Sequence, residues 1–133
     1  MSYLDKIPKK TSIGSLAVEL MDAAKKFHIL HLTVTGPGSY AAHKALNDLY
    51  DALPEHADTI AEGYQGVTGK FLDYPEASAP TMKTVKEAIK YITELHEKIT
   101  KVQAACEFSE IVNDLDAIKS TLNSAKYKLT FLS

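Results

Sequence analysis

Glycine and proline are confined to the first part of this sequence, and their distribution constrains the fold more than any other feature. All six glycines lie at or before Gly69, and all five prolines lie at or before Pro80. Residues 81–133 therefore lack the two residue types that most often interrupt or end a helix. The distribution predicts long helices in the second half of the chain and argues against a fold rich in β-strands.

The composition predicts one globular domain that either belongs to a reducing compartment or is indifferent to redox conditions. The chain has 133 residues, 45% of them apolar and 24% charged, which is enough to bury a core without cross-links. Cys106 is the single cysteine, so an intrachain disulfide is excluded. No apolar run approaches the ~18 residues of a membrane span. We expect a cytoplasmic protein with one domain over residues 1–133, a flexible N-terminal tail at 1–12 and no membrane contact.

The charge pattern disfavours nucleic acid as the main partner. The net charge is −2, and all fifteen cationic side chains are lysines. The forked, bidentate contacts that arginine makes with phosphate or guanine are therefore excluded. Three lysines in the N-terminal tail (Lys6, Lys9 and Lys10) form a small basic cluster.

Four segments carry apolar residues at alternating spacings of three and four, which is typical of helices that pack one face on a core. Three of them cover about residues 15–34, 82–105 and 109–132. The remaining segment, second along the chain, begins near residue 39 and ends between residues 63 and 69. Pro54 is expected to kink the second helix, and Ser109 is the predicted N-cap of the fourth. Residues 66–81 form a long connection, with a short extra turn or a crossing over the bundle end.

These segments predict an all-α four-helix bundle, with the crossover connection between the second and third helices. Helical repeats are the main alternative, but no unit of fixed length recurs beyond the heptad.

A polar arc on the second helix lies roughly opposite its apolar stripe. Successive residues turn by about 100°, which places five polar side chains in one arc about 100° wide. They are His43, Asn47, Asp51, Asp58 and Glu62. A solvated polar face is the simplest interpretation of such an arc.

Spacing along the helix indicates how these groups could share a metal ion. Asp58 and Glu62 are four residues apart, so their carboxylates can converge. His43 lies about 22 Å from Asp58 along a straight helix. Two copies of the helix packed antiparallel, crossing near residues 51–52, would bring His43 of one chain to the carboxylates of the other. His31 could reach the same place, and such a donor set suits Fe(II), Zn or Mn.

The same residues resemble a known family. The segment KKFHILHLTVTGPGSYAAHKALNDLYDALPEHADTIAEGY looks like the first two helices of the Dps miniferritins, in the ferritin-like superfamily. The matching positions are His31, Gly36-Pro37, His43, Asn47, Asp58 and Glu62. The last helix resembles the family more weakly.

The resemblance implies a ferritin-like four-helix bundle that binds iron between subunits. His31 and His43 of one subunit, with Asp58 and Glu62 of its two-fold mate, would bind Fe(II), for which Zn or Mn could substitute. The implied activity is that of a ferroxidase, in which hydrogen peroxide or oxygen oxidises the iron. The resemblance also implies that ferric mineral is stored in a shell of twelve subunits. Removing iron and oxidant in this way would protect the cell against oxidative stress. A homodimer is the smallest assembly that completes the site.

Three departures from the family pattern favour other functions. Asn47 stands where the family has an aspartate, beside the expected ligands, and Leu32 stands where a tryptophan is common. Pro54 stands where the two-fold crossing is expected. An uncharged amide binds hard cations less strongly than a carboxylate does. The alternative is a non-catalytic helical-bundle module with a degenerate metal site that binds a ligand or a protein partner. DNA coating is a third, weaker hypothesis because of the net charge.

Overall fold

The computed structural model describes residues 12–132, and within them the chain forms four α-helices and no strand. The helices are α1 (Ile13–Thr33), α2 (Ser39–Thr68), α3 (Val85–Ala105) and α4 (Ser109–Phe131). α1 packs on α2, and α4 packs on both α2 and α3. The predicted all-α four-helix bundle is confirmed. No helix in residues 12–132 is long and apolar enough to cross a membrane.

Local side-chain chemistry explains where α1 begins and ends. The Ser12 hydroxyl accepts a hydrogen bond from the Ser15 amide at 3.2 Å and caps the first turn. The helix therefore starts two residues earlier than the apolar pattern predicts. Of the predicted tail at 1–12, only Ser12 is among the described residues, and Lys6, Lys9 and Lys10 lie outside them.

Glycine determines both ends of α2. Gly38 before it and Gly69 after it have φ of 78° and 70°, a left-handed conformation that residues with a Cβ rarely adopt. α2 remains a single helix through Pro54, whose side chain is exposed.

The start of α4 differs from the prediction. Phe108 is the N-cap, and Ser109 is already the first helical residue. No side chain caps this end of the helix. The half-buried Phe108 packs against the core and stacks edge-on with Tyr64, with ring centroids 5.6 Å apart, so packing rather than capping chemistry sets the boundary.

Residues 69–84 connect α2 to α3 and contain no helical turn, so the predicted extra turn is absent there. The segment passes alongside α1. The Asp73 backbone lies against Gly14, and farther on the Ala79 amide donates to Asp22 at 2.7 Å. The Ala79 carbonyl accepts from the Lys26 ammonium at 3.0 Å. We name residues 69–84 the connecting segment.

The core contains the apolar stripes of all four helices. Its largest fully buried side chains include Phe27, Leu16 and Leu20 from α1, Leu46, Leu49 and Leu53 from α2, Ile92, Leu95 and Ile99 from α3, and Ile111 from α4. These residues lie on the apolar stripes of spacing three and four that the sequence shows. Leu132 continues that spacing three residues after the buried Leu129, but it is exposed.

A charged network joins α1 to α3 inside this apolar core. Glu19 is 3% exposed, and its carboxylate accepts hydrogen bonds from the Tyr91 hydroxyl at 2.6 Å and the Lys98 ammonium at 2.5 Å. Burial raises the pKa of Tyr91, and the bond to Glu19 raises it further, so the phenol stays protonated and donates. The network satisfies a carboxylate that would otherwise be buried alone.

His56 forms a second polar contact at the edge of the core, between α2 and α4. Its Nε2 atom lies 2.9 Å from the Thr121 hydroxyl, within hydrogen-bonding distance. Burial lowers the pKa of His56 below 6.5, against the opposing effects of Glu55 and Asp114.

This shift predicts a loss of stability in mild acid. The unfolded chain takes up a proton on His56 as the pH falls below 6.5, while the folded chain takes it up only at lower pH. The free energy of unfolding should therefore decrease from pH 6.5 towards the folded pKa. Urea titrations at a series of pH values should show a smaller decrease in His56→Gln than in the unmodified protein. An unchanged pH dependence in that variant would contradict the assignment.

Candidate metal centre

The turn between α1 and α2 brings His31 and His43 together. His31 is in the last turn of α1, and His43 is in the second turn of α2. The chain reverses through residues 34–38, where Gly36 and Gly38 both have positive φ. His31 is buried, whereas His43 is exposed.

The two histidines hold each other through reciprocal contacts with the backbone. The Nδ1 atom of His31 lies 2.8 Å from the carbonyl oxygen of His43, and the Nδ1 atom of His43 lies 3.0 Å from the carbonyl oxygen of His31. Their rings stack, with centroids 3.6 Å apart and planes 25° apart. Both side chains therefore have a defined orientation.

These contacts also define the tautomer of each ring. A carbonyl oxygen only accepts hydrogen bonds, so each Nδ1 must carry the proton that it donates. In a neutral imidazole the other nitrogen, Nε2, then has a free lone pair. A backbone carbonyl bonded to Nδ1 is the arrangement that commonly orients a histidine for metal binding through Nε2. Each ring thus retains one nitrogen that is able to bind a transition-metal ion.

Tyr50 and His28 extend the histidine pair into a cluster of four rings. Tyr50 stacks on His28 with centroids 3.9 Å apart, and it meets the His31 ring edge-on at 5.1 Å. Neither residue is among the ligands predicted from the sequence. The spacing contained a signal, because His28 lies three residues before His31 and Tyr50 lies seven after His43, so each shares a helix face with one of the pair.

Asn47 is already committed to other partners. Its amide oxygen accepts from the Tyr50 hydroxyl at 2.7 Å, and its amide nitrogen donates to the Asp51 carboxylate at 3.1 Å. Asn47 lies one helical turn after His43, and its hydrogen-bonding groups are directed at side chains on its own helix.

Asp58 and Glu62 lie apart from the histidines within one chain. Both are exposed on α2, and the uninterrupted helix separates Asp58 from His43 by fifteen residues, or about 22 Å. Across residues 12–132, no group of three or more histidine, cysteine, aspartate or glutamate side chains could hold a metal ion. The structure therefore assembles half of the predicted ligand set, and the carboxylates could join it only from another molecule.

Residues 31–129 match the model of a family of unknown function, DUF5856. The chain belongs to the DUF5856 family. The DUF5856 match starts at His31 and includes all four candidate ligands, together with α2, α3 and most of α4. No curated protein and no solved structure matches the chain.

Proposed function

We propose that this DUF5856 protein binds Fe(II) as a substrate at a site shared between two subunits, in the manner of a Dps miniferritin. His31 and His43 of one chain would supply the two nitrogen ligands. Asp58 and Glu62 of its two-fold mate would supply the carboxylates. The iron would be oxidised there by hydrogen peroxide or dioxygen, which makes the protein a cytoplasmic ferroxidase and iron store.

The reciprocal contacts of the histidine pair carry this proposal. Two Nδ1 atoms that donate to backbone carbonyls leave two Nε2 lone pairs on rings already held in place. The exposed carboxylates on α2 add donors that suit Fe(II) and that a second chain could present.

The length of α2 supports one particular subunit arrangement. An antiparallel pair crossing near Asp51 places residue 43 of one chain opposite residue 58 of the other, because the two numbers are symmetric about that point. The two-fold axis generates two equivalent sites. A homodimer is thus the minimal unit, and a ferritin-like shell of up to twelve subunits would be built from such dimers.

Calorimetric titration with Fe(II) under anaerobic conditions, or with Zn as a redox-inert substitute, tests the site. We expect saturable binding at micromolar metal, with two ions per dimer. His43→Ala and Asp58→Ala should each weaken binding by at least about tenfold, because each removes a ligand. Glu55→Ala is the matched control, since Glu55 is an exposed carboxylate on the same helix outside the ligand set.

Mixing the two ligand variants tests whether the site is shared. A heterodimer of the His43→Ala and Asp58→Ala chains contains one site with both residues intact and one site that lacks both. Subunit exchange should therefore restore tight binding at one site per heterodimer. No binding by the unmodified protein, or equal binding by all variants, would contradict the proposal.

The bonds of Asn47 favour a second function from a different class. The residue one turn after His43 is Asn47, which has no carboxylate. Its amide is already hydrogen-bonded to Tyr50 and Asp51. On this alternative the bundle is a non-catalytic interaction or ligand-binding module with a degenerate metal site. It predicts a melting temperature that is unaffected by Fe(II), Zn or chelator, whereas the iron-binding function predicts a rise with metal.

A further inference from the structure

The connecting segment lies against α1 along the whole length of that helix. The Asp73 backbone contacts Gly14 in the first turn of α1. Farther along, Ala79 bonds to two side chains in the middle of α1. At its far end, residues 83–84 line a cavity together with residues 33–34, where α1 ends. The segment therefore follows one flank of α1 from the start of the helix to its end.

Asp22 and Lys26 hold Ala79 by both polar groups of its backbone. The Asp22 carboxylate accepts from the Ala79 amide at 2.7 Å, and the Lys26 ammonium donates to the Ala79 carbonyl at 3.0 Å. The two charged groups also lie 3.6 Å from each other, and their side chains are only 23% and 21% exposed. Hydrogen bonds with one charged partner are stronger than neutral ones. We name Asp22 and Lys26 the clamp.

The flank of α1 that carries the clamp also carries Glu19. At about 100° per residue, Glu19, Asp22 and Lys26 lie within about 60° of one another around the helix. Glu19 bonds across to Tyr91 and Lys98 of α3. The charge of Asp22 adds to the burial and the Glu19 bond that raise the pKa of Tyr91, in keeping with this proximity. The connecting segment thus lies over the side of the bundle where α1 meets α3.

The connecting segment buries little of its own surface. Ala79 and Met82 are each 4% exposed, and Leu72 is half-buried, while most of the other side chains are exposed. Among the described residues, no backbone hydrogen bond joins one residue of the segment to another. Few buried apolar contacts and few backbone bonds are the properties of regions that open locally, at a lower free energy than global unfolding requires.

We propose that the connecting segment opens and recloses while the four helices stay folded, and that the clamp sets how often it opens. Opening uncovers the flank of α1 that carries Glu19, so the segment acts as a gate over the side of the core where α1 meets α3. The gate is independent of the metal site proposed above, because His31 lies about 120° around α1 from Glu19.

Thiol labelling of a single buried cysteine tests the opening. In a Cys106→Ser background, Ala79→Cys places the thiol in the connecting segment, and Ala57→Cys places it in α2, where residue 57 is 1% exposed. We expect Ala79→Cys to react at least about tenfold faster than its own global unfolding, measured by urea titration, allows. Its labelling rate should also depend less on urea, since a local opening exposes less surface. Ala57→Cys should react only through global unfolding.

Removing the cation of the clamp tests how the segment is held closed. Lys26→Met deletes the bond to the Ala79 carbonyl and keeps the apolar stem. Relative to global unfolding, it should speed the labelling of Ala79→Cys at least about fivefold, the effect of losing a hydrogen bond to a charged group. Lys25→Met is the matched control, since Lys25 is exposed about 100° around the same helix, and it should leave the rate unchanged.

Two results would overturn the proposal. In the first, the labelling of Ala79→Cys follows the rate and the urea dependence of global unfolding, as that of Ala57→Cys does. In the second, Lys26→Met speeds the labelling no more than Lys25→Met does.

Discussion

Replacing Lys98 with methionine should lower the free energy of unfolding by about 3 kcal/mol, because it leaves the Glu19 carboxylate buried without its cation. Methionine retains most of the length and packing of the lysine stem, so the loss reports the charge rather than a cavity. Lys98 is itself about one-third exposed, which places the expected effect at the lower end for a broken buried pair. Urea unfolding followed by circular dichroism measures it.

A triple variant separates the broken pair from the loss of the network as a whole. Glu19→Met, Tyr91→Phe and Lys98→Met together replace every polar member of the network by an apolar side chain of similar size. Such a replacement is often neutral or stabilising, because no buried group is left unpaired. We expect the triple variant to regain most of the stability lost in Lys98→Met. If the triple variant were as unstable as Lys98→Met, the unpaired Glu19 charge would not be the cause of the stability lost in the single variant.

Replacing Gly14 with alanine should destabilise the protein by about 1–3 kcal/mol, although alanine is the better helix former. An added Cβ would overlap the carbonyl oxygen of Asp73, so the connecting segment would have to move away from the first turn of α1. Backbone atoms cannot rotate aside as the end of a long side chain can. Urea unfolding measures the loss, and hydrogen exchange should increase at the Ala79 amide, which bonds to Asp22.

Gly66 provides the matched control for this substitution. It also lies inside a helix, but nothing lies within 4 Å of the position that its Cβ would occupy. Gly66→Ala should therefore stabilise the protein by up to about 1 kcal/mol, through helix propensity and a less flexible unfolded chain. Equal effects of the two substitutions would show that the Asp73 contact does not constrain the connecting segment.

The four helices could be predicted from the sequence because each carries its own periodic apolar stripe. Leu46, Leu49 and Leu53 identify the buried face of α2 without reference to the other helices. Glycines at 38 and 69 and the capping residue Ser12 set boundaries by local chemistry. The start of α4 was misplaced by one residue because Ser109 has a capping side chain, while packing of Phe108 decides the boundary.

The candidate site was predictable only in part. The spacing of His43, Asp58 and Glu62 identified one helix face, and with His31 it motivated the inter-subunit metal site, which remains a prediction. The stacking of the histidines and their bonds to each other's carbonyls depend on how tightly the α1–α2 turn closes. No periodicity in a single helix contains that information.

The sequence by itself determined the number of helices and the face that each one buries, because these follow from the spacing of residues along the chain. Tertiary structure alone decided which groups are neighbours across helices. Glu19 meets Lys98, 79 residues later, and Asp73 rests on Gly14. Such pairs depend on the relative positions of the helices, and the packing of the core as a whole determines those positions.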